Sequence, residues 1–214
     1  MAGLDYKKEF KELYQPPGKP VLVTVPEIRF IMVDGEGYPG GNPAYEEAIQ
    51  VLMGLSYGIK MLPRQGYTPA GYFDYVVPPL EGLWWIPEGE VFSFQNKDNW
   101  LWTMMVRQPD FVKEELFNRV VEETGRKKKT PGLNKAKLEE FVEGLSLQIM
   151  HTGPYSEEPA TLALMEQYMA ENGYRDTLYR GGKHHEIYLS DPRKCDPSKL
   201  KTVLRQPVER MMMD

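Results

Sequence analysis

Two parts of this chain match each other at a fixed offset of 116 residues: Val33 with Ile149, Gly37 with Gly153, Pro43 with Pro159 and Ala44 with Ala160. In each part an apolar run meets a Gly- and Pro-containing turn, and a helical pattern follows. The first helix carries Tyr45, Ala48, Ile49, Leu52, Leu55 and Ile59 at helical spacing; the second carries Leu162, Met165 and Met169. After each helix the spacing predicts a strand with an acidic residue, at 72–77 with Asp74 and at 184–189 with Glu186. Each is followed by proline and a further strand. The order strand–helix–strand–strand is thus expected twice, and one such unit cannot bury its own apolar face. The predicted fold is α+β: two pseudo-symmetric repeats forming an antiparallel sheet, helices on one face, and a ligand groove between the repeats. Repeat one covers about 28–107 and repeat two about 145–208, within a single domain at 21–214. Residues 1–20 form an N-terminal strap, with an amphipathic piece at 6–14 stopped by Pro16-Pro17-Gly18-Lys19-Pro20.

Local signals fill in the elements. Residues 21–25 are β-branched and end at Pro26; 29–34 form a second strand. Asn42 is a good helix cap and Pro43 a good first residue. Strands are expected at 83–86 and 100–107, with a short piece at 91–94. Helices are expected at 111–123, briefly at 135–143, and from Glu158 to about Met169, stopped by Asn172-Gly173. Residues 145–152 and about 200–208 complete the strands.

Charge and cysteine content exclude several classes of function. The formal net charge is −5, which argues against direct nucleic-acid binding. The basic run Arg126-Lys127-Lys128-Lys129 reads as a solvated helix end. Cys195 is the one cysteine, so no internal disulfide can form, and a reducing cytoplasm is expected. No apolar run approaches about 18 residues, so no membrane span is expected. Gly35-Glu36-Gly37 does not continue into a phosphate-binding fingerprint. No Cys/His spacing matches a structural zinc site, and no cofactor is expected.

The candidate site centres on the strand beginning at His184. Side chains two apart share a face. Ile187 and Leu189, with His185, form the row suited to the core; His184, Glu186 and Tyr188 form the other row. Glu186 becomes a site only where aromatic walls enclose it, and is otherwise an ordinary solvated carboxylate. Trp100 and Trp102 share a face, and only one of the adjacent Trp84 and Trp85 can join them. Three indoles around one carboxylate would make a stacking and cation–π box; core packing is the competing reading. Tyr38 and Tyr155 lie in the two equivalent turns and could hydrogen-bond a ligand. His151, His184 and Glu186 can be drawn as a metal triad, but His184 more simply tunes the carboxylate, so no metal is assigned. Twelve methionines suit a surface that accepts ligands of several shapes, or a gap-filled core.

The duplicated unit, with an acidic residue on the second strand of its second copy, resembles the GyrI-like small-molecule-binding family over about residues 20–208. The stretches 72–85, 149–155, 158–161 and 184–194 look like a stand-alone subgroup. The resemblance implies a groove between the repeats, with Glu186 in the place of the family's pocket Glu. Regulators of the family bind lipophilic aromatic cations there, and some stand-alone members hydrolyse the cyclopropane ring of DNA-alkylating natural products. The resemblance therefore implies lipophilic aromatic small molecules as partners. Glu186 and Tyr155 are the catalytic candidates, and Trp84, Trp85, Trp100, Trp102, Tyr38, Tyr75, His184 and Tyr188 the ligand-binding ones. The first 20 residues leave no room for a helix-turn-helix, so transcriptional regulation is not expected. Three readings follow: a ring-opening hydrolase, a non-catalytic polyspecific binder of lipophilic cations, and a peptide-binding module.

Overall fold

The computed structural model describes residues 3–87, 99–127 and 129–211. Two short helices, α1 (Tyr6–Glu9) and α2 (Lys11–Tyr14), lead into strand β1 (Val21–Glu36), helix α3 (Pro43–Lys60), strands β2 (Leu80–Trp85) and β3 (Leu101–Arg107), and helix α4 (Glu114–Lys127). The second half contains β4 (Lys137–Thr152), α5 (Glu158–Asn172), the short β5 (Tyr174–Asp176), β6 (His184–Tyr188) and β7 (Lys201–Arg210). Asn42 caps α3, its Oδ1 accepting from the Ala44 N–H at 3.0 Å, with Pro43 as the first helical residue. Gly173, at φ 71°, supplies the left-handed residue that ends α5.

The expected duplication is present as β1-α3-β2-β3 and β4-α5-β6-β7. The strands run in the order β4-β1-β3-β2-β6-β7, all antiparallel, and β7 also pairs with β4. The sheet therefore closes into a six-stranded barrel, with β5 added along β7. Its interior holds Phe30, Met32, Leu83, Met105, Ile187 and Val203, capped at one mouth by Tyr6, Leu13 and Tyr14 from the N-terminal segment. Helices α3 and α4 cover the outer face of β1 and β3 through Ile31, Val33, Leu52, Leu55, Met104 and Phe117. Helix α5 covers β4 and β7 through Leu147, Ile149, Leu162, Met165 and Leu204. The outer faces of β2 and β6 lie at the junction of the two halves. Among the described residues, no helix is long and apolar enough to cross a membrane.

Three local expectations are corrected. Residues 21–25 and 29–34 form one strand, running through Pro26. There β1 pairs with β4 alone among the described residues, because β3 joins only from Phe30 onward, and a residue lacking an N–H is tolerated at such an edge. Residues 135–143 form no α-helix; a short 3-10 turn ends at Lys135 and β4 begins at Lys137. Lys, Glu and Ala favour a helix locally, but eleven register pairs with β1 carry β4 down to Lys137, and tertiary pairing overrides propensity. Residues 72–77 form no strand; Tyr75 makes only an isolated bridge with Leu4. The expected short piece at 91–94 lies outside the described residues.

Candidate functional site

The register identifies what lies where the repeats meet. Val33 and Ile149 pair with Met104 and Leu204; these pair in turn with Gly82 and Glu186, which face each other across β2 and β6. Gly82, not Asp74, is therefore the first-copy counterpart of Glu186, and Trp84 that of Tyr188. The pseudo-two-fold junction carries a carboxylate on one side only.

Glu186 is 7% exposed. Its Oε2 accepts from the Tyr188 hydroxyl at 2.7 Å, and its Oε1 lies 3.3 Å from His184 Nε2. Trp84 Nε1 donates to the Tyr188 oxygen at 3.2 Å. A phenol has one proton to give and two lone pairs. Its proton is given to Glu186, so the Trp84 N–H and the Tyr188 O–H form a relay ending on the carboxylate. Tyr45, from the first turn of α3, packs at 6.1 Å from Trp84 and edge-on at 5.4 Å from Trp102. Trp100 stands edge-on to Trp84 at 5.4 Å, and Tyr155 edge-on to Tyr188 at 6.1 Å; such offset geometries suit the ring quadrupoles. Burial, reinforced by the charge of Glu186, raises the Tyr45 and Tyr188 hydroxyls above the ordinary phenol range. Burial, with Glu158 and Glu186, brings Tyr155 to about 12. All three are neutral hydrogen-bond donors at physiological pH.

The remaining candidates separate cleanly. Trp102 is fully buried beneath the cluster. Its ring lies on Gly35, where a Cβ would meet it at 2.1 Å, so it backs the wall. Trp84 lies on the face of the sheet that carries Glu186 and Tyr188, where it is 2% exposed, while Trp85 faces the other way, with Lys183 Nζ 3.7 Å over its ring. Tyr75 packs instead with Tyr72, Phe73 and Phe111. Tyr38 lies in the turn before α3 and is 49% exposed, and Tyr155 is 39% exposed at the rim. His151 is held by Thr161 Oγ1 at 2.8 Å and the Pro154 carbonyl at 3.2 Å. No group of three or more metal-ligating residues is arranged for a metal among the described residues. Sequence reasoning missed Tyr45, read only as a helix-face residue, and Gly82. The register would have found Gly82 had 80–85 been taken as the partner of 184–188.

Gly82 has a physical reason to lack a side chain. A Cβ there would come within 3.0 Å of Trp84 Nε1, 3.1 Å of Met104 Sδ and 3.2 Å of the Tyr188 hydroxyl. Gly82→Ala is expected to push Tyr188 off Glu186 and to cost about 1–3 kcal/mol of stability, as overpacking does. A urea midpoint would read the cost, and a structure of the variant would read the Tyr188–Glu186 distance. An unchanged midpoint together with an unchanged distance would contradict the steric argument.

Comparison with functionally curated proteins finds no match. An uncharacterized conserved protein of Listeria innocua is 48% identical, with a TM-score of 0.90 over 96% of this chain and all of that one. A protein described as a hydrolase from Listeria innocua is 45% identical, with a TM-score of 0.87 over the same shares. The C-terminal domain of EcmrR, 14% identical with a TM-score of 0.54 over 90% of this chain and 98% of that one, shares the fold. The model of the GyrI-like small molecule binding domain matches residues 18–209, nearly the whole of the chain. The chain therefore belongs to the GyrI-like small-molecule-binding domain family.

Proposed function

We propose that this protein binds planar, lipophilic aromatic molecules, cations among them, against Glu186. We further propose that it opens a strained electrophilic cyclopropane within such compounds by adding water, and so protects the cytoplasm from aromatic, DNA-alkylating toxins. The observation that carries the reading is a buried carboxylate hydrogen-bonded by Tyr188, with Trp84, Tyr45 and Tyr155 around that pair and Trp100 behind Trp84. Aromatic faces stack a flat ligand and attract a cation, and a carboxylate in a dry site attracts that cation more strongly than in water. In the reaction, Glu186 takes a proton from water as the oxygen bonds to a ring carbon. The cyclopropane C–C bond breaks, its electron pair passes to the conjugated carbonyl, and Tyr155 or His184 donates a proton to that oxygen. The strain resides in the substrate, so the protein has mainly to position it and supply a base. The hydrolase description of the 45% identical Listeria innocua protein supports turnover.

The test is intrinsic tryptophan fluorescence during titration with a planar lipophilic cation and, in parallel, a cyclopropane-bearing aromatic electrophile, with the products of the second resolved by mass spectrometry. Quenching by both and a water adduct of the electrophile are expected. Quenching with no adduct would leave a polyspecific binder. Absence of any response would overturn the aromatic-ligand reading in favour of a peptide-binding groove.

A further inference from the structure

The inner faces of the strands that carry the groove hold a second cluster of ionisable groups, with no part in the chemistry above. His185 Nε2 lies 3.0 Å from Glu81 Oε2, and its Nδ1 lies 3.0 Å from Glu143 Oε2. Arg205 donates from Nη1 to the same Glu143 oxygen at 3.1 Å and from Nε to Gln148 Oε1 at 3.0 Å. The side chains of Glu81, Glu143, His185 and Arg205 are each 2% exposed. A neutral imidazole carries one N–H and can donate to one carboxylate; two ionised carboxylates at hydrogen-bond distance from its two nitrogens are both satisfied only by the imidazolium. The set is then two anions and two cations, the balance that burial demands.

The same cluster holds the N-terminal segment in the barrel mouth. Arg205 Nη2 donates to the Leu13 carbonyl at 2.6 Å, Gln148 Nε2 to the Glu12 carbonyl at 2.6 Å, and the Tyr14 hydroxyl to Glu81 Oε1 at 3.2 Å. Leu13, Tyr14, Glu81, Glu143, His185 and Arg205 line a cavity of about 10 Å³ at this junction, so contact between segment and cluster is close. The far end of the segment is tied separately, by the backbone bonds Leu4 N–H to Asp74 O and Val76 N–H to Leu4 O. The guanidinium of Arg107 also lies over the rings of Tyr6 and Phe10.

We propose that His185 is a proton-controlled latch. As the imidazolium it fixes Glu81 and Glu143, and with them Arg205, so that Glu81, Arg205 and Gln148 grip residues 12–14; on losing a proton it lets that stretch go, while residues 4–6 stay tethered and the Pro17 carbonyl keeps its bond from the Met150 N–H at 3.0 Å. Burial by itself would raise the Glu143 carboxyl, but His185 and Arg205 hold it down to about 2. Burial and Glu81 raise the Tyr14 phenol well above its ordinary range, against Arg107 and Arg205, so it remains a donor in mild alkali. Burial and Arg205 pull His185 down, but Glu143 and Glu81 pull it above the ordinary 6.5. A raised folded pKa gives stabilisation that is complete below 6.5 and is lost as pH rises through the folded value. The latch is therefore set below 6.5 and opens as pH rises through the raised folded value.

Amide hydrogen exchange on the intact protein tests this, with rates corrected for their intrinsic pH dependence and α3 as the internal reference. Protection of the Tyr14 and Gln15 amides is expected to fall at least about tenfold between about pH 7 and about pH 10, while α3 stays protected. Nitrogen NMR is expected to show His185 protonated on both ring nitrogens at about pH 7. His185→Gln, which cannot carry the charge, is expected to have low and pH-independent protection at the same two amides. A neutral His185 at about pH 7, or protection in the native protein that does not change with pH, would overturn the proposal. The native protein decides this even if His185→Gln does not fold.

Discussion

Replacing Glu186 with glutamine is expected to lower formation of the water adduct by about 10²–10⁴-fold, the usual contribution of a positioned general base. Glutamine keeps the shape. Its amide oxygen can still accept the Tyr188 proton that now reaches Oε2 at 2.7 Å, so the aromatic wall of Trp84, Trp100 and Tyr45 should stay in place. Neutral planar ligands should then quench tryptophan fluorescence with affinities within a few-fold of the native protein. A lipophilic cation, losing its counter-charge, should bind about tenfold or more weakly, roughly 1.4 kcal/mol. The split between neutral and cationic ligands separates the carboxylate's charge from the geometry it supports. Turnover at the native rate in Glu186→Gln would place the base elsewhere in the groove. Equal weakening of both ligand types would show that the substitution had collapsed the wall.

The sequence showed the duplication and the strand β6, because the 116-residue offset and the alternation along 184–189 are patterns readable in the chain itself. It did not show closure of the barrel, which depends on β4 and β7 meeting from residues far apart in the chain, as in Ile149 opposite Leu204. The first-copy partner of β6 was misplaced because residues 72–77 are rich in aromatic and β-branched types, as strands are. Those rings instead pack on Phe111. The shared row of His184, Glu186 and Tyr188 was legible from the alternation of the strand. Tyr45 was not, since one aromatic on a helix face looks like any other until the neighbouring sheet is known. The ionised interior was invisible as well: Glu81, Glu143, His185 and Arg205 come from four strands. Gly144 helps assemble them. At φ 75° it breaks the alternation of β4, so that Glu143 before it and Gln148 after it both reach Arg205.

Arg205→Met is expected to be the most destabilising single change considered for this protein. Methionine fills most of the volume but leaves Glu143 and Glu81 sharing one imidazolium, with the Leu13 carbonyl and Gln148 Oε1 losing their donor. Removing one partner from a buried charge set costs about 3–5 kcal/mol, a fall in Tm of roughly 6–20 °C for a chain of this size. The cost should depend on pH in a defined direction. The native Glu143 carboxyl is held down to about 2 from an ordinary 4.5, so its contribution is present above 4.5 and disappears as pH falls toward 2. Without Arg205 that depression is smaller, and the stability gap between native and variant should narrow as pH falls from 4.5 toward 2. Urea midpoints at neutral pH and at about pH 3 measure both effects. Glu143→Gln in the Arg205→Met background should recover part of the loss, because it removes the charge left without a partner. A double variant no more stable than Arg205→Met would mean that Arg205 acts by packing and by its bond to Leu13 rather than by charge.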